Sequence, residues 1–285
     1  MSADHALKGK VILITGASQG IGRSIALSLA SAQPAVLILF ARSESRLHGV
    51  AATISEISQS TRVVVQLVDI TSSSAVNAAV SASLAKVGVS TIDVVINNAG
   101  LAVGAPRSFP ELSIDEIDTM LGTNVAGYMY VTHAVLNAGG MLAAKRGTIM
   151  NVTSTTALEV PPFPGEAVYH TSKAAQEAFT NVLRTELQGT NIKVLALRPG
   201  VVAFTDFHEL RVGREDGKGL YDDFMKGIEP LGPDTVGEAA LWMLGQPEAV
   251  SVKALDVVPT SQRSLTSFDR TWNGRNGKSD VTMGN

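Results

Sequence analysis

Residues 10–22 read KVILITGASQGIG, and the fold turns on how this junction is read. KVILIT is a short apolar run without alternation, the pattern of a strand buried on both faces. It runs straight into Gly16, Gly20 and Gly22, which open a stretch with Ile21, Ile25 and Leu29 at helical spacing. Glycine allows a tight turn and a close backbone approach. The helix that follows offers free N–H groups and the positive end of its dipole to a pyrophosphate. Alone, the three glycines make an ordinary turn. Placed between a first strand and a first helix, they favour dinucleotide binding.

The same alternation continues outward. Strands are expected at 35–41, 62–70 and 91–98, with helices at 43–58 and 73–88 between them. Ser113 stands three residues before Glu116, a capping box for a long helix that Gly139-Gly140 would stop. Further strands follow at 147–154, 192–200 and 252–259, and helices at 165–189 and 233–246. Apolar runs buried on both faces, joined by helices, imply an α/β fold. It is a single-domain, Rossmann-type doubly wound parallel sheet of about seven strands, with helices on both faces. Residues 1–262 form the domain, including an irregular charged loop at about 201–232. Residues 263–285 read as a polar, loosely ordered tail.

Bulk composition narrows the function. The chain has 285 residues, 45% of them hydrophobic, so it can bury a sizeable core. Its formal net charge of −3, with no long basic run, argues against a nucleic-acid partner. It has no cysteine, which excludes disulfides and a thiol nucleophile. Its five histidines are scattered, so no metal site is expected. The polar first ten residues lack a signal-peptide core, and the apolar run at 35–41 is too short to span a bilayer. A soluble, cytoplasmic protein without a membrane partner is the expectation.

Two further stretches carry chemistry. In YHTSK, residues 169–173, Tyr169 and Lys173 are four apart and share one face of a helix. A cation beside a phenol favours the phenolate and would bring the Tyr169 pKa down from about 10. At the end of the second strand, Arg42 and Ser43 stand where an acid would hold the ribose of NAD. Arginine there suits the 2′-phosphate of NADP; the competing reading pairs Arg42 with Glu44 or Glu56.

TGASQGIG (15–22), NNAG (97–100), TNVAG (123–127), NVTS (151–154) and YHTSK occur in this order, and with them the chain resembles the classical short-chain dehydrogenase/reductase family. The resemblance covers about residues 8–260. It implies NADP(H)-dependent interconversion of a ketone and a secondary alcohol, in a homodimer or homotetramer. Tyr169 would be the general acid in reduction, and Lys173 would hold the nicotinamide ribose and tune Tyr169. Ser154 would bond the substrate oxygen. Asn124 would distort its helix and hold a water linking Lys173 to solvent. Cofactor contacts would come from Gly16, Ser18, Gln19, Gly20, Ile21 and Gly22. Arg42, Ser43, Asp69 and Ile70 would surround the adenosine. Asn97, Ala99 and Gly100 would shape the floor, and Pro199, Gly200, Val202 and Thr205 would flank the nicotinamide. Asn124 and Asp69 also read as a helix-kink residue and a strand cap.

The C-terminal half resembles the NADP-dependent 3-hydroxy acid dehydrogenase branch of that family. On that likeness Arg211 is a partner for a substrate carboxylate, unless it pairs with Glu209 or Glu215. There are departures. Ser154 and Tyr169 are 15 apart, two more than is usual in the family, which leaves Thr153 and Thr155 as fallbacks for Ser154. One extra residue follows Pro199-Gly200, which unsettles Thr205. Gln19 stands where NADP enzymes often have a basic residue. Phe163, Phe204 and Phe207 suggest an apolar pocket, suited to a ketoreductase acting on a bulky ketone, or else they anchor loops. A biosynthetic imine reductase or cyclase, and a non-enzymatic nucleotide sensor, are the alternatives.

Overall fold

The computed structural model describes residues 6–161, 164–213 and 218–282. Its sheet is built from β1 (Val11–Thr15), β2 (Val36–Ala41), β3 (Arg62–Leu67), β4 (Val94–Asn97), β5 (Arg146–Val152), β6 (Asn191–Pro199) and β7 (Ala254–Val257). All seven are parallel, in the order β3-β2-β1-β4-β5-β6-β7. The helices between them are α1 (Gly20–Ala30), α2 (Glu44–Ile57), α3 (Ser73–Val87), α4 (Ile114–Leu121), α5 (Tyr128–Leu136), a short α6 (Met141–Ala144) and α7 (Ala167–Glu186). After β6 come α8 (Phe207–Val212), α9 (Lys218–Met225) and α10 (Pro233–Leu244).

The strands are apolar throughout because both sheet faces are covered. Side chains alternate across a strand, so Ile12 and Ile14 pack with Ile25, Leu29 and Val236 on one face. Leu13 packs with Ile38, Val80 and Val131 on the other. Strand order reverses beside β1, so the carboxyl ends of β1 and β4 splay their following loops apart. That is where a doubly wound sheet opens a crevice.

The helix expected over 113–138 contains a π-helical turn at Gly122–Gly127 between α4 and α5, at the Asn124 for which the resemblance implies a local distortion. One expectation changes. The polar C-terminal segment is not a loose tail. It forms β8 (Gln262–Ser264), β9 (Ser267–Phe268) and α11 (Trp272–Asn276). Its polar groups bond to distant chain. The Leu265 N–H donates to Glu159, and Asn273 Nδ2 donates to the Ile228 carbonyl. The Arg270 guanidinium lies 5.4 Å from the Phe224 ring and 5.1 Å from that of Phe268. Composition registered the polarity and could not show these partners. No helix among the described residues is long and apolar enough to cross a membrane.

Candidate active site

The turn from β1 into α1 has to be glycine. Gly16 and Gly20 adopt φ of +64° and +54°. A Cβ on Gly16 would come within 2.9 Å of the Ala99 Cα, and one on Gly22 within 2.2 Å of the Gly16 oxygen. Asn98 lashes the loop after β4 to this turn, its Nδ2 donating to the Thr15 carbonyl at 3.0 Å. Thr15 Oγ1 in turn accepts from the Asn98 and Ala99 N–H groups. No side chain caps the start of α1, so its N–H groups face the cleft. The Gln19 Oε1 is buried without a partner among the described residues. An uncapped helix end beside a side-chain-free cradle fits a dinucleotide pyrophosphate.

The cleft that opens here measures about 510 Å³. Of the residues expected at the cofactor, it is lined by Gly16, Ser18, Gln19, Gly20 and Ile21 at one end. Arg42, Ser43, Asp69 and Ile70 line it at the other, and Ala99, Gly100, Lys173 and Thr205 lie between. Asp69 Oδ1 accepts from the N–H and hydroxyl of Thr71, which hold its carboxyl below the usual range with a smaller contribution from Arg42.

Several calls move. Gly22 serves helix packing against the turn. Asn97 lies beneath the floor, where its Nδ2 donates to Thr132 Oγ1 and Asn151 Oδ1; it is Asn98 that lines the cleft. Strand alternation sends one of two adjacent asparagines down and leaves the other facing up. Gly200, Val202 and Tyr169 line a second cavity beyond the main cleft, and Thr205 lines both. The Pro199 carbonyl accepts from Thr155 Oγ1. Arg46, one turn into α2, lines the cleft beside Arg42 and pairs with Asp206 at 2.8 Å. It escaped the sequence reading because only the first turn's geometry brings it round to Arg42.

Beyond Lys173, the π turn holds Asn124 fully buried. Its Oδ1 accepts from the Leu101 N–H at 2.9 Å, and its Nδ2 donates to the Leu101 carbonyl and Ser172 Oγ. The Asn124 backbone carbonyl accepts from Gln176 Nε2 at 2.7 Å. Lys173 Nζ donates to Gln176 Oε1 at 3.1 Å and to the Val152 carbonyl at 3.3 Å. The Gln176 amide thus bridges the Asn124 backbone carbonyl and Lys173 Nζ. Burial pushes Lys173 down to about 7.

Tyr169 follows a different course from the one the YHTSK spacing suggests. Its ring lies between two cations, with Lys173 Nζ 5.8 Å and the Arg211 guanidinium 5.6 Å from the centroid. Yet burial dominates and pushes the phenol up to about 12, against the lowering influence of Arg211 and hydrogen bonding from Ser154 and Thr156. Lys173 is not among the groups that bring it down. Between the hydroxyl candidates, geometry favours Ser154. It lines the second cavity with Tyr169, while Thr153 donates to Glu177 and Thr155 to the Pro199 carbonyl.

That second cavity, about 80 Å³, is walled by Phe207, Val201, Phe224 and Leu265 as well as by Arg211 and His208. The Phe207 ring lies 5.7 Å from that of Tyr169. Phe204 is 57% exposed and lines neither cavity, and Phe163 lies outside the described residues. Arg211 pairs with Glu166 through both carboxylate oxygens, in a buried contact. Glu166 comes from the lengthened stretch between Ser154 and Tyr169, and Glu215, one of the partners expected from the sequence, lies outside the described residues. His208 Nε2 contacts the Val202 carbonyl at 2.9 Å, and burial pushes its pKa down to about 4, with Arg211 adding to the effect.

Comparison with known proteins now decides the family. The family described as short chain dehydrogenase matches residues 10–215. The chain belongs to that family. It is an oxidoreductase acting on CH–OH and C=O groups. It is 36% identical over 256 residues to the NADP-dependent 3-hydroxy acid dehydrogenase of Schizosaccharomyces pombe, covering 90% of this chain and 95% of that protein. It is 35% identical over 262 residues to sulfoacetaldehyde reductase 2 of Chromohalobacter salexigens, covering 91% and 98%. The closed form of a serine dehydrogenase complexed with NADP+ superposes with a TM-score of 0.75 at 30% identity, covering 88% of this chain and 96% of that one. The dehydrogenase described here thus shares its layout with relatives over nearly their whole length.

Proposed function

We propose that this dehydrogenase is an NADP(H)-dependent ketoreductase whose substrate is an uncharged ketone, or the matching secondary alcohol. The observation that carries the reading is the buried pair Arg211–Glu166. Among the described residues that line the small cavity, Arg211 is the one permanent cation, and Glu166 neutralises it. His208 is held neutral near pH 7. The remaining walls combine apolar side chains with uncharged hydroxyls, those of Ser154, Thr155, Thr156, Tyr169 and Thr205. A carboxylate placed there would compete with Glu166 for Arg211, and taking Arg211 would leave the Glu166 carboxylate buried and unpaired, which costs about 3–5 kcal/mol.

Arg42 and Ser43 at the adenosine end, with no acid at the end of β2, support NADP(H) over NAD(H). The NADP-dependent relatives support it as well. When bound, the cofactor supplies or accepts the hydride. The chain's own residues handle charge and proton. In reduction, the Ser154 hydroxyl and the Tyr169 phenol donate hydrogen bonds to the substrate oxygen as it gains negative charge. Tyr169 then transfers its proton to that oxygen. In oxidation the phenolate takes the proton back. The Arg211 guanidinium, 5.6 Å from the ring centroid, favours the phenolate form.

A second reading follows from the three relatives reported above, all of which are named for substrates bearing an acid group. It requires a substrate acid to replace Glu166 on Arg211. Turnover separates the two. NADPH oxidation with neutral aryl and alkyl ketones, and NADP+ reduction with serine and 3-hydroxybutyrate, are measured side by side. Activity confined to the neutral ketones supports the proposal, and activity confined to the 3-hydroxy acids overturns it.

The exposed apolar residues Ile114 and Met129 near the π turn, and Val182 on α7, support assembly into a homodimer or homotetramer.

A further inference from the structure

Lys173 is a cation in a place that does not favour one. It is 5% exposed, and desolvation is the only influence that moves its pKa. Among the described residues no carboxylate pairs with it. The groups around it are accounted for. From its own helix, Tyr169 presents its ring face. Glu166 lies beyond that ring and is paired with Arg211 from α8. Glu177, one turn further along α7, is paired with Arg198 from β6 and accepts from Thr153. From β5, Lys173 receives only the Val152 carbonyl. The other acceptor is Gln176 Oε1.

An amide can accept with its oxygen or donate with its nitrogen, and here the choice is settled by the π turn. The wider turn leaves the Asn124 carbonyl facing α7, where it takes Gln176 Nε2 at 2.7 Å. That bond fixes the amide so that its oxygen, and with it the negative end of its dipole, meets the ammonium. Gln176 is 2% exposed, so no solvent competes. Two of the three Lys173 N–H groups are taken up in this way, and the third is left to point toward the cleft beside Gly100. A Cβ on Gly100 would lie 3.7 Å from Lys173 Nζ.

We infer that Gln176 is a positioning residue of the hydride-transfer site, which keeps Lys173 charged and oriented by a direct amide contact braced on the Asn124 carbonyl. The inference rests on Tyr169 and Lys173 being the catalytic pair and is independent of which ketone is reduced.

The test uses the full-length protein with Gln176→Met, which keeps the length and removes both polar ends, and Gln176→Glu, which places a carboxylate against the ammonium. Lysines are labelled at the ε-carbon, and the Lys173 signal is identified by its loss in Lys173→Met. Its titration is followed by NMR from pH 4 to 11 in the protein alone. NADPH affinity is measured by fluorescence on the same samples. The Met variant should titrate about one to two pH units lower than wild type, the size of one hydrogen bond to a charged group. The Glu variant should titrate higher. NADPH binding should weaken at least several-fold in the Met variant at pH 6.5, where Lys173 is mostly charged in wild type and mostly neutral in the variant. Shifts in opposite directions distinguish positioning from general loosening, which would move both variants the same way. Unmoved titrations, or shifts of one sign, would overturn the inference. If one variant does not fold, the sign of the other still decides. These readouts need no substrate, so they stand even if the ketone panel is silent.

Discussion

Tyr169 and Lys173 are both ionisable groups taken out of water, and burial moves them in opposite directions. Replacing Tyr169 with Phe removes the transferable proton and leaves the ring in place. We expect kcat/KM to fall by about 10²–10⁴-fold, while NADPH affinity, measured by fluorescence, stays near wild type. The Lys173 shift also has a stability signature. Its pKa falls from 10.5 to about 7 in the folded protein. Between those values the unfolded chain binds more protons, so the Lys173 contribution to stability rises with pH through that window. Below pH 7 both states are protonated and the full penalty applies. Tyr169, raised from 10.0 to about 12, acts only above pH 10, where it lowers stability as pH climbs. Thermal denaturation without cofactor should therefore show a steeper rise from pH 7 to 10 in wild type than in Lys173→Met. Equal slopes would mean that Lys173 is hydrated.

At the scale of elements, two turns carry the site. The β2–α2 turn presents Arg42, and Arg42→Ala should raise the KM for NADPH roughly tenfold or more, the size of a charge-assisted hydrogen bond. The KM for NADH should hardly move. An equal rise for both cofactors would place Arg42 away from the 2′-phosphate. The π turn depends on Asn124, whose side chain satisfies both backbone groups of Leu101. Asn124→Ala leaves those groups unpaired and should cost about 1–3 kcal/mol in urea denaturation. A capping box and apolar spacing announce a helix over 113–138, and both halves form. The extra turn residue was invisible to spacing, because what stabilises it is the loop at Leu101 and the Gln176 amide, far away in the chain.

On the scale of the whole molecule, the C-terminal hairpin closes the substrate side. Leu265 is 3% exposed and lines the small cavity. Phe224 is clamped from outside by Phe268 and Arg270. Leu265→Ala should cost about 2–5 kcal/mol in stability and shift the ketone preference toward bulkier substrates, read as the ratio of kcat/KM for a large and a small ketone. An unchanged ratio would mean that Leu265 supports the wall without meeting the substrate.

The sheet, the glycine turn and the pairing of Tyr169 with Lys173 could all be read from the chain alone. Each rests on local rules: buried strands are apolar throughout, glycine alone fits a crowded left-handed turn, and i and i+4 share a helix face. The Glu166–Arg211 pair, the Gln176 brace and the Leu265 wall came only with the tertiary structure. Their partners lie 45, 52 and 106 residues apart. The sign of the Tyr169 shift belongs with them. Sequence proximity placed a cation near the phenol, but how much water the fold removes from that phenol decides its pKa, and burial is a property of the packed molecule.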